Sequence, residues 1–294
     1  MRLLILGGAG QVGWELQRTL APLGEVAVRT RAELDLGNAG AIRKAIDWHR
    51  PDVVVNAAAY TAVDDAEAHP EIADAINHRA VATMAAMAAE RGMWLVHYST
   101  DYVFDGSGTD AFAETARPGP LNVYGRSKLA GDEAIAASGC RHLILRTSWV
   151  HAPRGRNFVR SILELARERH SLRVVADQIG SPTSAAHIAE ATAVALRQAL
   201  GDEAMSGTYH LAAAGHASWH DVARHVVDEA RRRGAGLRLA SSAIEPIPSS
   251  DYPRPAVRPH NSRLDTSKAR RTFGPPLRDW RQGVDQTVAA LVAA

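Results

Sequence analysis

Three features of the chain predict an α/β fold with a doubly wound parallel sheet and a smaller C-terminal lobe. Strand-like apolar runs alternate with helical patterns from Met1 to Val150, the rhythm of parallel strands joined by crossover helices. A glycine-rich turn, Gly7-Gly8-Ala9-Gly10-Gln11-Val12-Gly13, separates the first strand from the first helix. Beyond Val150 the alternation turns irregular and ends in a proline-rich stretch, which predicts a second lobe built from shorter pieces.

Composition narrows the function classes. Hydrophobic residues make up 46% of the 294 and charged residues 22%, the proportions of an ordinary globule with a sizeable core. Lys plus Arg number 34 against 32 Asp plus Glu, so there is no electrostatic case for nucleic acid or an anionic membrane surface. The apolar start, Met1 to Gly7, is too short for a signal peptide, and no run approaches ~20 apolar residues. Cys140 has no partner for an internal disulfide. A buried, inert thiol in a reducing cytoplasm is the expectation.

The first strand, Arg2 to Leu6, delivers the chain to the glycine turn. A helical pattern follows, with Trp14, Leu16, Leu20 and Leu23 apolar. Strand, turn and helix in that order form a Rossmann-like dinucleotide site. Its glycines let the backbone come close to a pyrophosphate, which then rests on the positive end of the helix. Gly7, Gly10, Gln11, Val12 and Gly13 are therefore cofactor-binding candidates. Their spacing is G-x-x-G-x-x-G and not the commoner G-x-G-x-x-G.

The second strand begins at Glu25 and ends on Arg29-Thr30-Arg31. Arginine here suits the 2′-phosphate of NADP, where a carboxylate would suit the ribose of NAD. The expected cofactor is NADPH, with NADH the alternative, and Asp35 and Leu36 flanking the adenine. A helix from Ala39 stops before Pro51. The strand from Asp52 ends in Ala57, Ala58 and Ala59, small enough for a cofactor to approach the backbone, and Thr61 follows in the loop. The helix Asn77 to Arg91 carries Met84 and Met87, which read as core. The strand from Trp94 turns polar at Ser99, Thr100, Asp101 and Tyr102, the end at which open parallel sheets place their chemistry.

The chemistry itself is expected at Tyr124-Gly-Arg-Ser-Lys128. Four residues apart on a helix means one face, so phenol and ammonium can share one small site. A cation beside a phenol favours the phenolate and is expected to pull the tyrosine pKa from about 10 toward neutrality. Tyr124 could then protonate a carbonyl oxygen while hydride reaches its carbon, with the Thr100 hydroxyl donating to the same oxygen. Other features read as ordinary structure. His216 and His220 have helical ligand spacing but no acid between them, and Arg231-Arg232-Arg233 ends a helix where cations offset the dipole.

With these residues in view, the chain resembles the extended short-chain dehydrogenase/reductases, and within them the reductases of nucleotide-linked 4-keto sugars. The stretches Ser99 to Phe104 and Arg258-Pro259-His260-Asn261-Ser262-Arg263-Leu264 are the most specific, and matching segments run through nearly the whole chain. The resemblance implies Thr100, Tyr124 and Lys128 as a catalytic triad, with Lys128 also bonding the nicotinamide ribose. It implies Asp101, Tyr102, Trp149, Asn157 and Arg258 as sugar-nucleotide contacts. The implied reaction is NADPH-dependent reduction of dTDP-4-dehydro-L-rhamnose to dTDP-L-rhamnose, a precursor of cell-surface polysaccharide. Another 4-keto-hexose, or a non-catalytic regulatory subunit of the same fold, stays open at this point. Related dehydratases carry Asp-Glu after the threonine; Asp101-Tyr102 stands here, which disfavours dehydration. Some relatives dimerise around Mg²⁺ held by glutamates. Glu15 is present, but Ala186 and an alanine-rich tail take the other places, so a metal-bridged dimer is doubtful and a monomer or weak homodimer is expected. Residues 1–150 are expected to bind NADP, joined by segments near 175–190 and 205–215, while 151–294 mainly bind the sugar nucleotide.

Overall fold

The computed structural model describes residues 1–274 and 278–293. Its centre is a sheet of six parallel strands. In chain order they are β1 (Arg2–Leu6), β2 (Glu25–Arg29), β3 (Val53–Asn56), β4 (Trp94–Thr100), β5 (Arg141–Thr147) and β6 (Gly207–His210). Across the sheet the order runs β6-β5-β4-β3-β1-β2. The chain leaves β1 toward β2 and returns to the opposite side of β1 for β3. Parallel sheets bind ligands at such a reversal, beyond the C-terminal strand ends.

Both faces of the sheet are covered, which is why its strands read as unbroken apolar runs. On one face Leu3, Ile5, Val53, Val55 and Val96 meet Leu16 and Leu20 of the helix Gln11–Leu20, together with Ile188 and Leu196 of the helix Ala185–Ala199. On the other, Leu4, Leu6, Val54 and Leu95 meet Ile42 and Ile46 of Ala39–His49 and Met84 and Met87 of Ala80–Arg91. Cys140 is buried and free, as expected.

The second lobe has its own core, in which the helices Phe158–Glu168, Trp219–Arg232 and Trp280–Ala293 pack around residues such as Ile162, Val226 and Trp280. Leu172–Val175 pairs there with Ile244–Ile247. Two later segments return to the first lobe: Ala185–Ala199 packs on Leu16 and Leu20, and Gly207–His210 becomes the outermost strand.

One stretch departs from the sequence expectation. The loop expected after Ala59 contains two short helices, Val63–Ala68 and Pro70–Asp74, running through a wide turn at Ala75–Arg79 into Ala80–Arg91. Asp64 and Asp65 sit in the first turn of the first of these, where carboxylates offset the helix dipole. Among the described residues no helix is long and apolar enough to cross a membrane. Met84 is fully buried in the layer between sheet and helix. Met84→Ala should therefore cost about 2–5 kcal/mol, read as a lower urea midpoint with an unchanged m-value.

Candidate active site

A groove of about 810 Å³ opens over the C-terminal ends of the strands at the reversal of strand order. Its floor begins at Gly7, held at φ +82°. A Cβ there would lie 2.7 Å from Ala58 N, so only glycine lets β1 and the segment after β3 meet this closely. Gly13 has the same role one turn into the helix: its Cβ would lie 2.2 Å from Gly7 O, which presses the helix onto the turn and keeps Gly13 itself out of the groove. Gly10 caps the helix with no side-chain acceptor. The first amides therefore point at the groove without an internal partner, ready for an anion.

Gly7, Gly10, Gln11, Val12, Arg29, Asp35, Leu36, Ala57, Ala58, Ala59 and Thr61 all line one end of this groove. Arg29 donates to Val28 O at 2.8 Å and lies 2.6 Å from His49 Nε2. Arg31, the second arginine at this strand end, and Thr30, unassigned on sequence grounds, line the groove beside it.

Thr100, Asp101, Tyr102, Tyr124, Lys128 and Trp149 line its centre and far end. Thr100 closes β4, its hydroxyl donating to Asp101 Oδ1 at 3.1 Å and accepting from Tyr102 N at 3.2 Å. Tyr124 lies in the first turn of the helix Val123–Ser138, which is capped by Asn122 accepting from Gly125 N at 2.8 Å. The Tyr102 ring stands edge-on to the Tyr124 ring, with centroids 5.6 Å apart.

The expected acidification of Tyr124 is not what the structure gives. Burial pushes its pKa above the usual tyrosine value, opposed by the Thr100 hydrogen bond. The Lys128 ammonium is buried and turned inward, donating to Tyr98 O at 2.6 Å and lying 3.0 Å from His97 Nε2. Burial also lowers Lys128 to about 8, with Asp132 opposing the fall. Asp101 is raised to about 6 by burial, against the hydroxyls of Ser262 and Thr100. At this site desolvation outweighs the short-range charge effect that residue spacing suggests.

Two predicted contacts sit elsewhere. Arg258 forms a bidentate ion pair with Asp64, at 2.5 and 3.0 Å, and also donates to Ala256 O. Asn157 caps the helix Phe158–Glu168 and donates to Gln11 Oε1 at 3.0 Å and to Ala152 O at 2.8 Å, and does not line the groove. Trp149 adopts φ +49° and stacks on Trp219, centroids 3.5 Å apart and rings 9° from parallel. Trp219 also lines the groove, and no spacing in the sequence links two residues so far apart.

Glu15 lines a separate cavity of about 100 Å³ with His151, Ser184, Ala186, Gln286 and Thr287. A hard divalent cation takes six or more oxygen ligands, and this donor set has one carboxylate. It does not fit Mg²⁺. Among the described residues no group of three or more His, Cys, Asp or Glu side chains could hold a metal.

A family model described as the RmlD substrate binding domain matches residues 1–293. The chain belongs to that family. It is 47% identical over 295 residues to the dTDP-4-dehydrorhamnose reductase of Salmonella typhimurium, covering 99% of this chain and 98% of the relative. The enzyme of that name from Burkholderia thailandensis is 46% identical over 297 residues, covering all of both chains. Among solved structures, a dTDP-4-dehydrorhamnose reductase of Bacillus anthracis in complex with NADP superposes with a TM-score of 0.88 at 30% identity, covering 98% of each chain. Another family structure, from Clostridium acetobutylicum, gives 0.90 at 32% identity over 99% of each.

Lys128 generates a stability prediction. Its folded pKa of about 8 lies below the free value of 10.5, so the folded state is penalised while the lysine is charged. The penalty is full below pH 8 and fades as pH rises toward 10.5. Lys128→Met should gain up to about 3 kcal/mol at neutral pH relative to its effect near pH 10, on top of a fixed cost of leaving Tyr98 O and His97 without their partner. That gain should shrink when the melts are repeated at pH 9 and 10.

Proposed function

We propose that this chain is an NADPH-dependent oxidoreductase that reduces the 4-keto group of dTDP-4-dehydro-L-rhamnose to give dTDP-L-rhamnose. The observation that carries the reading is the convergence of Thr100, Tyr124 and Lys128 on the same groove as the glycine turn. Near-half identity over the whole length to reductases of that name supports the choice of sugar.

The division of labour follows the groove. Gly7, Gly10 and the open amides of Gln11 and Val12 suit a pyrophosphate, Ala57 to Ala59 leave room for the nucleotide, and Arg29 with Arg31 suits a 2′-phosphate. Bound there, the cofactor supplies the hydride. The rest falls to side chains. Tyr124 keeps its proton at neutral pH, the form an acid needs before a carbonyl oxygen arrives. Thr100 lines the groove with the phenol, and its hydroxyl can turn from Asp101 Oδ1 to donate to the phenolate after transfer. Asp101, Tyr102 and the Trp149–Trp219 stack close the far end, where the sugar nucleotide would lie. The first lobe then serves mainly the cofactor and the second mainly the sugar nucleotide.

Tyr124→Phe should lower kcat by about 10²–10⁴ while leaving NADPH affinity within a few-fold. Full turnover in that variant would remove Tyr124 as the proton donor. NADPH oxidation measured against a panel of nucleotide-linked 4-keto sugars tests the substrate, with dTDP-4-dehydro-L-rhamnose expected to give the highest kcat/KM. Trp219→Ala should raise the sugar-nucleotide KM several-fold, the loss of one aromatic stack, with little change in the KM for NADPH.

A further inference from the structure

Behind the catalytic lysine lies a chain of polar groups that neither the motif nor the proposed reaction uses. Lys128 Nζ is 3.0 Å from His97 Nε2, and His97 Nδ1 is 3.1 Å from Asn56 Nδ2. Asn56 Oδ1 accepts from Ala58 N at 3.2 Å, in the wall of the groove. Asn56 and His97 are paired in register on neighbouring strands, and all three side chains are at most 1% exposed.

A neutral imidazole has one donor and one acceptor nitrogen. Because Asn56 uses its oxygen on Ala58, its NH₂ faces His97, so Nδ1 accepts and Nε2 carries the proton. An ammonium has no lone pair, so in this arrangement the lysine faces His97 as the amine. The ammonium needs the other arrangement. There Nδ1 is protonated and donates to an Asn56 amide turned over, Nε2 accepts from Nζ, and Ala58 N–H is released. Going from the first to the second adds one proton: the Nε2 proton passes to Nζ, and one from solvent takes its place on the ring at Nδ1.

We propose that His97 is a positioning residue for Lys128 and that Asn56 selects its protonated nitrogen, so that the charge on the lysine is tied to the backbone at Ala58. The role given to Lys128 rests on the reductase reading; the hydrogen-bond chain does not. Burial holds His97 well below the usual histidine range, so it acts as a neutral ring. The other groups around the pair are fixed. Asp132, one turn beyond Lys128, is engaged by Ser99 at 2.9 Å and Arg146 at 3.0 Å, and the Tyr98 hydroxyl bonds Thr192 at 2.8 Å. Tyr124 and Asp101 face the groove.

The test is the titration of Lys128 in the free protein, followed by NMR of ¹³C-labelled lysine in the parent, H97Q and H97M, beside the pH profile of kcat. The parent midpoint is expected near 8. A glutamine amide near the Nε2 position can turn its oxygen to the ammonium without releasing Ala58, so H97Q should move the midpoint up by about one pH unit; methionine offers no comparable acceptor and should move it down by a similar amount. The alkaline limb of kcat should move the same way in each. Coincident midpoints, or shifts of one sign in both variants, overturn the proposal. If H97M fails to fold, H97Q against the parent decides, and no upward shift overturns it. A parent that turns over no keto sugar would defeat the reductase reading instead, since the NMR titration needs no turnover.

Discussion

Burying the Lys128 ammonium is the constraint from which the rest of the site follows. Taking such a cation out of water costs several kcal/mol unless partners surround it. Here they come from the middle of the sheet. The Tyr98 carbonyl on β4 accepts from Nζ directly, His97 on the same strand lies 3.0 Å from it, and Asp132 stands one turn further along the same helix. Asp132 is itself buried and held by Ser99 on β4 and Arg146 on β5. Asn56 with His97, and Ser99 with Arg146, are register partners on adjacent strands. A polar spine therefore crosses three strands beneath the groove, inside an otherwise apolar layer. An incompletely satisfied network of this kind is costlier than an apolar core, which makes each member sensitive to the loss of its neighbour.

Local spacing explains which parts of this were legible in the sequence. The glycine turn, the strands on either side of it and the i, i+4 pair of Tyr124 and Lys128 each depend on residues within one element, and the structure brings them to one groove. The direction of the tyrosine shift depends on burial, which spacing does not encode, and there the expectation fails. His97 looks like an interruption of an apolar run; only the strand register turns it toward Lys128. Trp219 meets Trp149, and Arg258 meets Asp64, because the second lobe folds back over the first. The helices at Val63–Ala68 and Pro70–Asp74 are too short to show a period.

Polar contacts join the second lobe to the first. Arg258 clamps Asp64, Asn122 donates to Val257 O at 2.8 Å, and Asn157 holds Gln11 in the glycine turn. Each joins a segment of the second lobe to an element that carries cofactor or catalytic residues. A partly buried bidentate pair such as Arg258–Asp64 fixes orientation as well as distance. Residues that resemble ligand contacts in the sequence can thus act as braces, and the rigidity they give is what a site with sub-ångström tolerances requires.

The direction of the chemistry follows from which protons the groove holds. Removing a proton from a sugar carbon calls for a base, and of the groups at its centre Asp101, at about 6, and Lys128, at about 8, ionise near neutrality. Asp101 Oδ1 accepts from the Thr100 hydroxyl, its Oδ2 is buried, and Lys128 donates to the Tyr98 carbonyl. The neighbouring position is Tyr102, a phenol whose pKa burial and the Asp101 charge push further up, so it stays neutral. Tyr124 is neutral for the same reason, and Thr100 serves it. Two protonated phenols and a hydroxyl over a buried lysine suit the proposed delivery of a proton to oxygen better than the removal of one from carbon. Reduction needs the first; dehydration needs the second.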